Sequence, residues 1–303
     1  MTAQIIDGRK IAAGLREEVR AELAAAHADG IAVGLATVLV GDDPAARAYL
    51  RRIDRTAAGL RVQHSSVELP ASVTQDEVLA AIDRLNADPA VSGILVLRPL
   101  PAPLREPVVF SRLDPVKDIE AVHPENAGLL ALGTPRYVPS TAAAVFHILD
   151  EWLHQTGVPV EDFYHRSRIV VVGRSNNVGK PAISVAFTRQ AAVTSIDEWA
   201  SVDNRLGSHT RQADVLVVAA GVPGLIRAEH IRAGAVVLDV GINLVTDETG
   251  EERIVGDVAL GEVATRARAV SPVPGGVGPV TDVWLIRNTV QAARNALSAR
   301  GGC

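Results

Sequence analysis

Apolar runs alternate with amphipathic stretches along the whole chain. Gly34-Leu35-Ala36-Thr37-Val38-Leu39-Val40-Gly41 is almost continuously apolar, which predicts a strand buried on both faces and ended by a turn. Asp42-Asp43-Pro44 opens the next element, residues 45–58 read as a helix, and Gly59 is its expected C-cap. Residues 62–69 alternate like a strand, and Thr74-Gln75-Asp76-Glu77 is a capping box that opens a helix to about Asn86. Gly93-Ile94-Leu95-Val96-Leu97 is a third buried strand. A helical connector over 141–155 leads to a second series of strands at 168–173, 192–196, 214–220 and 235–240. A final helix over 282–297 needs an apolar partner and is expected to pack back on the first series. The alternation predicts an α/β protein of two α/β domains across a cleft, with parallel sheets covered by helices. The expected boundaries are 1–140 plus 282–303 for one domain and 141–281 for the other.

Composition narrows the function. With 303 residues and 48% hydrophobic content the chain supports two cored domains. A net charge of -5 disfavours a nucleic-acid binder, which needs a concentrated basic surface. The one cysteine, Cys303, excludes an internal disulfide framework and a multi-cysteine metal site. The histidines lack metal-ligand spacing, so no metal is expected, and Trp152, Trp199 and Trp284 read as packing residues. No basic segment followed by an apolar run opens the chain, and no stretch reaches the ~20 apolar residues of a membrane span. A cytoplasmic protein with no membrane partner is expected. Lysine occurs only at Lys10, Lys117 and Lys180, so a mechanism that needs one has few candidates.

Gly173-Arg174-Ser175-Asn176-Asn177-Val178-Gly179-Lys180-Pro181 lies between a buried strand and an amphipathic stretch. Such a glycine turn lets backbone N–H groups at a helix N-terminus meet a phosphate. It is neither GxGxxG, since Ser175 takes the second glycine position, nor a P-loop, since Pro181 replaces the magnesium-holding Ser/Thr. Alone it reads as a nucleotide cradle or as a plain strand-to-helix turn. Asp197 and Glu198 come after the next strand, about where an acid bonds a ribose 2′-hydroxyl, and a solvated loop is the other reading.

Further segments carry a resemblance. They are Ile6-Asp7-Gly8, Val40-Gly41-Asp42-Asp43-Pro44-Ala45, Pro99-Leu100-Pro101, Pro115-Val116-Lys117-Asp118 and His123-Pro124-Glu125-Asn126-Ala127-Gly128. The C-terminal half adds Asp239-Val240-Gly241-Ile242-Asn243, Gly256-Asp257-Val258 and Ser271-Pro272-Val273-Pro274-Gly275-Gly276-Val277-Gly278-Pro279-Val280-Thr281. Over nearly its whole length the chain resembles the methylenetetrahydrofolate dehydrogenase–methenyltetrahydrofolate cyclohydrolase family. The resemblance implies a bilobed homodimer of one-carbon metabolism. NADP or NAD would sit on a Rossmann-type domain, 141–281, and a tetrahydrofolate derivative in the cleft. It assigns Thr141, Arg174, Ser175 and Ile242 to the cofactor, beside Gly173, Val178, Gly179, Asp197 and Glu198, which the loop and spacing already offer as candidates. Tyr49, Leu97, Glu120, Gly278 and Pro279 go to the substrate, with Tyr49 and Glu120 as the catalytic candidates.

The chain departs from the family where the chemistry is. The family's Tyr-x-x-x-Lys helix keeps Tyr49 but has Ile53 at the lysine position, and the glutamine that supports that lysine aligns with Leu97. The family's pterin-gripping aspartate aligns with Glu120. Losing a lysine and its partner together to apolar residues avoids leaving a buried amide unpaired, which costs ~1–3 kcal/mol. Hydride transfer needs chiefly orientation and survives this, whereas hydrolysis needs proton transfer. The expectation is an NAD(P)-dependent oxidoreductase acting at a C–N carbon, with cyclohydrolase activity lost. An imine or iminium reductase and a non-catalytic nucleotide-binding scaffold are the alternatives.

Overall fold

The apolar run at 34–41 forms a strand buried throughout. After a two-residue β1 (Gln4–Ile5), β2 (Gly34–Val40) is buried at all seven positions. It is flanked in parallel by β3 (Gln63–Leu69) and β4 (Gly93–Val96), in the order β3-β2-β4. The helix Pro44–Leu60 joins β2 to β3. Asp43 caps it by accepting the Ala46 N–H at 2.8 Å, and Pro44 occupies its first turn. The expected stop at Gly59 is overrun. Leu60 is buried in the core and carries the helix one residue further, so Arg61 takes the left-handed cap at φ 57. The capping box at Thr74 opens the helix Gln75–Ala87. Lys117 Nζ closes that helix by donating to the carbonyls of Leu85, Asn86 and Asp88 at 2.7 to 3.0 Å. One of the few lysines thus acts at a helix end.

The computed structural model describes residues 2–246 and 250–301, with side chains to 297; Cys303 lies outside the described residues. The chain divides into two units, Gly14–Ser140 with Asp282–Cys303, here the N-terminal unit, and Met1–Ala13 with Thr141–Thr281, the C-terminal unit. The last helix, Val277–Gly301, carries its later residues into the N-terminal unit, where the buried Asn288 donates to the carbonyls of Ile119 and Val138 at 2.9 and 2.8 Å. It therefore packs where the sequence placed it, but it begins five residues before the expected start at 282.

The C-terminal unit is built on β5 (Arg168–Val172), β6 (Ala192–Ile196), β7 (Val215–Val218), β8 (Val236–Asp239), the hairpin β9 (Asn243–Thr246) and β10 (Glu252–Val255), and β11 (Ala269–Ser271). Six strands form a parallel sheet in the order β1-β11-β8-β7-β5-β6. β1 is its edge strand, paired with β11 at Gln4–Ala269 and Ile5–Val270. Residues 1–13 thus belong with this unit rather than with 14–140, because two residues of backbone pairing outweigh chain proximity. The hairpin β9–β10 has no counterpart in the sequence pattern; its strands are four residues long and largely exposed, too short for a periodic signal. Among the described residues no helix is long and apolar enough to cross a membrane.

Candidate functional site

From β5 the chain goes to β6 on one side and returns to β7 on the other, so the order reverses between β5 and β7. In open parallel sheets the crevice beyond the strand ends at such a reversal is where nucleotides bind. Gly173 ends β5 at φ +109, and a Cβ built there would stand 2.0 Å from the Ala219 carbonyl oxygen beyond β7. Gly179 opens the helix Gly179–Thr188, and a Cβ there would stand 2.1 Å from the Gly173 carbonyl oxygen. Both glycines let strand, turn and helix close on one another. The Ser175 hydroxyl accepts the Val178 and Gly179 N–H groups at 3.3 Å each and holds the turn.

Arg174 reaches across to β6. Its Nε donates to Ser195 Oγ at 2.9 Å, Nη2 to the Ser195 carbonyl at 2.9 Å, and Nη1 to Asp197 Oδ2 at 2.6 Å. Helix-terminal N–H groups, an arginine and a carboxylate at the ends of neighbouring strands form the donor and acceptor set of a dinucleotide site, so the residues fit one. Six of the cofactor candidates, Gly173, Arg174, Ser175, Val178, Gly179 and Asp197, are brought into this one loop cluster. Glu198 is exposed and makes no cap bond to the helix Trp199–Val202. Ile242 is 59% exposed, and Thr141 lies in the first turn of the helix Ser140–Thr156. Trp199 is 64% exposed, contrary to the packing role expected of it.

Two recurrent motifs of the C-terminal half prove to be scaffolding that periodicity does not reveal. Asp239 Oδ1 accepts the Gly241 and Asp257 N–H groups, at 3.0 and 3.1 Å, and Oδ2 accepts that of Val258 at 3.1 Å. Asp257 Oδ2 accepts the Ala220 and Gly221 N–H groups, at 2.6 and 2.9 Å, and Oδ1 the Asn243 amide at 2.8 Å. Two buried carboxylates thus tie the loops after β7, β8 and β10 together along the binding edge of the sheet. Asp7 and Gly8 lie at the start of the helix Gly8–Ala28. Asp7 Oδ1 accepts the Arg9 N–H at 2.9 Å, and a Cβ at Gly8 would stand 1.8 Å from the Gly276 carbonyl oxygen. Gly278 and Pro279 come next in the first turn of the last helix, both half-buried, also in this unit.

In the N-terminal unit, Tyr49, Arg52 and Ile53 share one face of the helix Pro44–Leu60. Ile53 is 1% exposed and Leu97 3% exposed, so buried apolar side chains stand at the positions of the family's lysine and glutamine. Glu120 accepts the Ser140 N–H at 3.0 Å and its hydroxyl through Oε1, and burial pushes its carboxyl up to about 7. Arg98 lies over the Phe110 ring with Cζ 4.4 Å from the centroid, 3.4 Å from Glu106. Sequence reasoning misses Asp282. Expected at the start of the last helix, it lies inside that helix, 5% exposed, with both oxygens on Arg52 Nε at 3.0 and 2.8 Å. Burial pushes the Asp282 carboxyl up to about 6, with Arg52, Arg16 and Arg55 acting against it. The Tyr49 phenol is driven well above the usual tyrosine range by burial and by the carboxylates of Glu120 and Asp282.

Two family models match the chain. One, described as tetrahydrofolate dehydrogenase/cyclohydrolase, catalytic domain, covers residues 6–120, and the other, the NAD(P)-binding domain of the same family, covers 139–297. Bifunctional protein FolD 2 of Rubrobacter xylanophilus is 57% identical over 305 residues, spanning 100% of this chain and 95% of that protein. Bifunctional protein FolD 2 of Geobacter metallireducens is 42% identical over 290 residues, with 96% of each covered. Among solved structures, FolD methylenetetrahydrofolate dehydrogenase/cyclohydrolase of Campylobacter jejuni superposes with a TM-score of 0.88 at 34% identity, covering 97% of this chain and 99% of that one. The Trypanosoma brucei FolD structure, in complex with NADP and an inhibitor, gives 0.88 at 34% over 98% and 99%.

Proposed function

The chain belongs to the tetrahydrofolate dehydrogenase/cyclohydrolase family, and from that premise we propose an NAD(P)-dependent methylenetetrahydrofolate dehydrogenase that has lost the cyclohydrolase step. One observation carries the reading: the dinucleotide loop is intact, while the positions of the family's lysine and glutamine hold buried apolar side chains, Ile53 and Leu97. The cofactor, when bound, supplies the hydride acceptor, and the reaction it supports asks the chain mainly for orientation. Tyr49 and Glu120 orient the folate in the N-terminal unit. Arg174 and Ser175, with the N–H groups of the 173–179 loop, hold the dinucleotide in the C-terminal unit. No proton has to be moved when the C–H bond of the methylene bridge breaks as hydride and leaves the methenyl cation. Family resemblance supports the further reading of a cytoplasmic homodimer, its substrate domain at 14–140 plus 282–303 and its cofactor domain at 1–13 plus 141–281.

NAD is the expected preference. Arg174 is committed to Ser195 and Asp197, and Asp197 and Glu198 would both face a 2′-phosphate carrying close to two negative charges. Each such contact costs ~1 kcal/mol or more in partly screened surroundings. Reduced-nicotinamide absorbance with methylenetetrahydrofolate should therefore give a kcat/KM for NAD roughly tenfold or more above that for NADP. Asp197→Ser should narrow the gap by releasing Arg174. No absorbance change with either cofactor would refute the dehydrogenase reading, and a clear NADP preference would refute the role given to Asp197.

A further inference from the structure

Arg52 stands one turn beyond Tyr49 on the helix Pro44–Leu60, its Cζ 5.0 Å from the centroid of the Tyr49 ring. Only part of its guanidinium is used. Nε holds both oxygens of Asp282, whereas Nη1 and Nη2 donate no hydrogen bond among the described residues. Asp282 is 5% exposed, so a buried carboxylate fixes the arginine and leaves two of its nitrogens unclaimed. Arg51, beside it, and Arg55, one turn further on, are both exposed. Neither is paired with an acid among the described residues, and Arg55 Nε donates only to the Arg51 carbonyl at 3.2 Å. Asp54, the only acid in this helix, is taken by His64 Nδ1 at 3.1 Å. Asp282 therefore balances one of three neighbouring arginines, and the surface next to Tyr49 is positive.

We propose that Arg52, Arg51 and Arg55 form the binding site for the glutamyl end of the folate, and that the preferred substrates are folates carrying further γ-linked glutamates. This rests on the reading of Tyr49 and Glu120 as folate-binding residues. A tetrahydrofolate carries N–H donors on its pteridine at one end and glutamate carboxylates at the other. A carboxylate at 120 suits the donors and repels the acids, so the acidic end runs toward the arginines. Arg52 Nη1 and Nη2 lie in one plane, the fork that receives a carboxylate through two parallel hydrogen bonds. Each added γ-linked glutamate brings one more negative charge, which Arg51 and Arg55 are placed to meet. Such contacts are alike before and during hydride transfer, so they lower KM without raising kcat.

The test measures initial rates on the intact protein with NAD and either monoglutamyl or triglutamyl 5,10-methylenetetrahydrofolate, at about 20 mM and about 300 mM salt. At low salt the KM of the triglutamyl form should be about tenfold below that of the monoglutamyl form, with similar kcat. The gap should narrow at high salt, where charges at an exposed surface are screened. Arg51→Glu with Arg55→Glu should bring the two KM values together, which a loss of packing would not do selectively. Equal KM values in the unmodified protein overturn the proposal, as does an undiminished gap in the folded double variant. If that variant does not fold, the salt series on the unmodified protein decides, and a gap that ignores salt overturns the proposal. Failure to turn over either folate overturns the underlying dehydrogenase reading instead.

Discussion

Methenyltetrahydrofolate is expected to hydrolyse no faster with this protein than without it. Opening the methenyl bridge requires a group that moves protons near neutral pH, and loss of such help typically costs ~10²–10⁴ in rate. Ile53 and Leu97 are buried and carry no titratable group. Arg52 is held by Asp282, Arg98 is stacked on Phe110, and an arginine does not give up its proton in any case. The Tyr49 phenol is displaced away from neutrality. Glu120, at about 7, titrates in the useful range, but its Oε1 is occupied by the N–H and hydroxyl of Ser140. Ile53→Lys with Leu97→Gln should restore part of the lost hydrolysis. Vigorous hydrolysis by the unmodified protein would show that Glu120 has taken over the lysine's work.

Gly179→Val is expected to abolish dinucleotide binding and to destabilise the C-terminal unit by ~3–5 kcal/mol, the range in which core overpacking and a broken turn combine. The first atom of any side chain at 179 meets the Gly173 carbonyl oxygen at 2.1 Å, and that oxygen is backbone that cannot swing aside. Gly173 itself sits so close to the Ala219 carbonyl that it has no room for a Cβ. The damage is thus to strand–turn–helix closure, and it would reach a dinucleotide bound there through the turn that the Ser175 hydroxyl holds. Thermal melting together with a cofactor titration checks this. A variant with unchanged melting and unchanged affinity would mean that the turn does not shape the site.

How much of the fold and site is legible in the sequence depends on how local each signal is. The capping box at Thr74 and the buried runs of β2, β4 and β5 are readable, since a few adjacent residues determine them. The end of the helix Pro44–Leu60 is not, because Leu60 is drawn into the core, a tertiary effect that overrides the local preference for Gly59. β1 and the β9–β10 hairpin are too short to show a period. The dinucleotide loop is found from its glycines, but the clamp of Arg174 on Ser195 and Asp197 joins residues more than twenty positions apart. Asp282 escapes for the same reason, at greater range: its partner Arg52 is 230 positions away.

A single reaction followed at two wavelengths tests the central claim most directly. Methylenetetrahydrofolate and NAD are mixed with the protein, reduced nicotinamide is monitored by its fluorescence, and the methenyl product by the near-ultraviolet absorbance left after the reduced nicotinamide's share is subtracted. A dehydrogenase without cyclohydrolase activity should produce the two species in equal amounts, the methenyl band then decaying only at its spontaneous rate. Reduced nicotinamide that appears while the methenyl band never accumulates would contradict the account, as would the absence of any reduced nicotinamide.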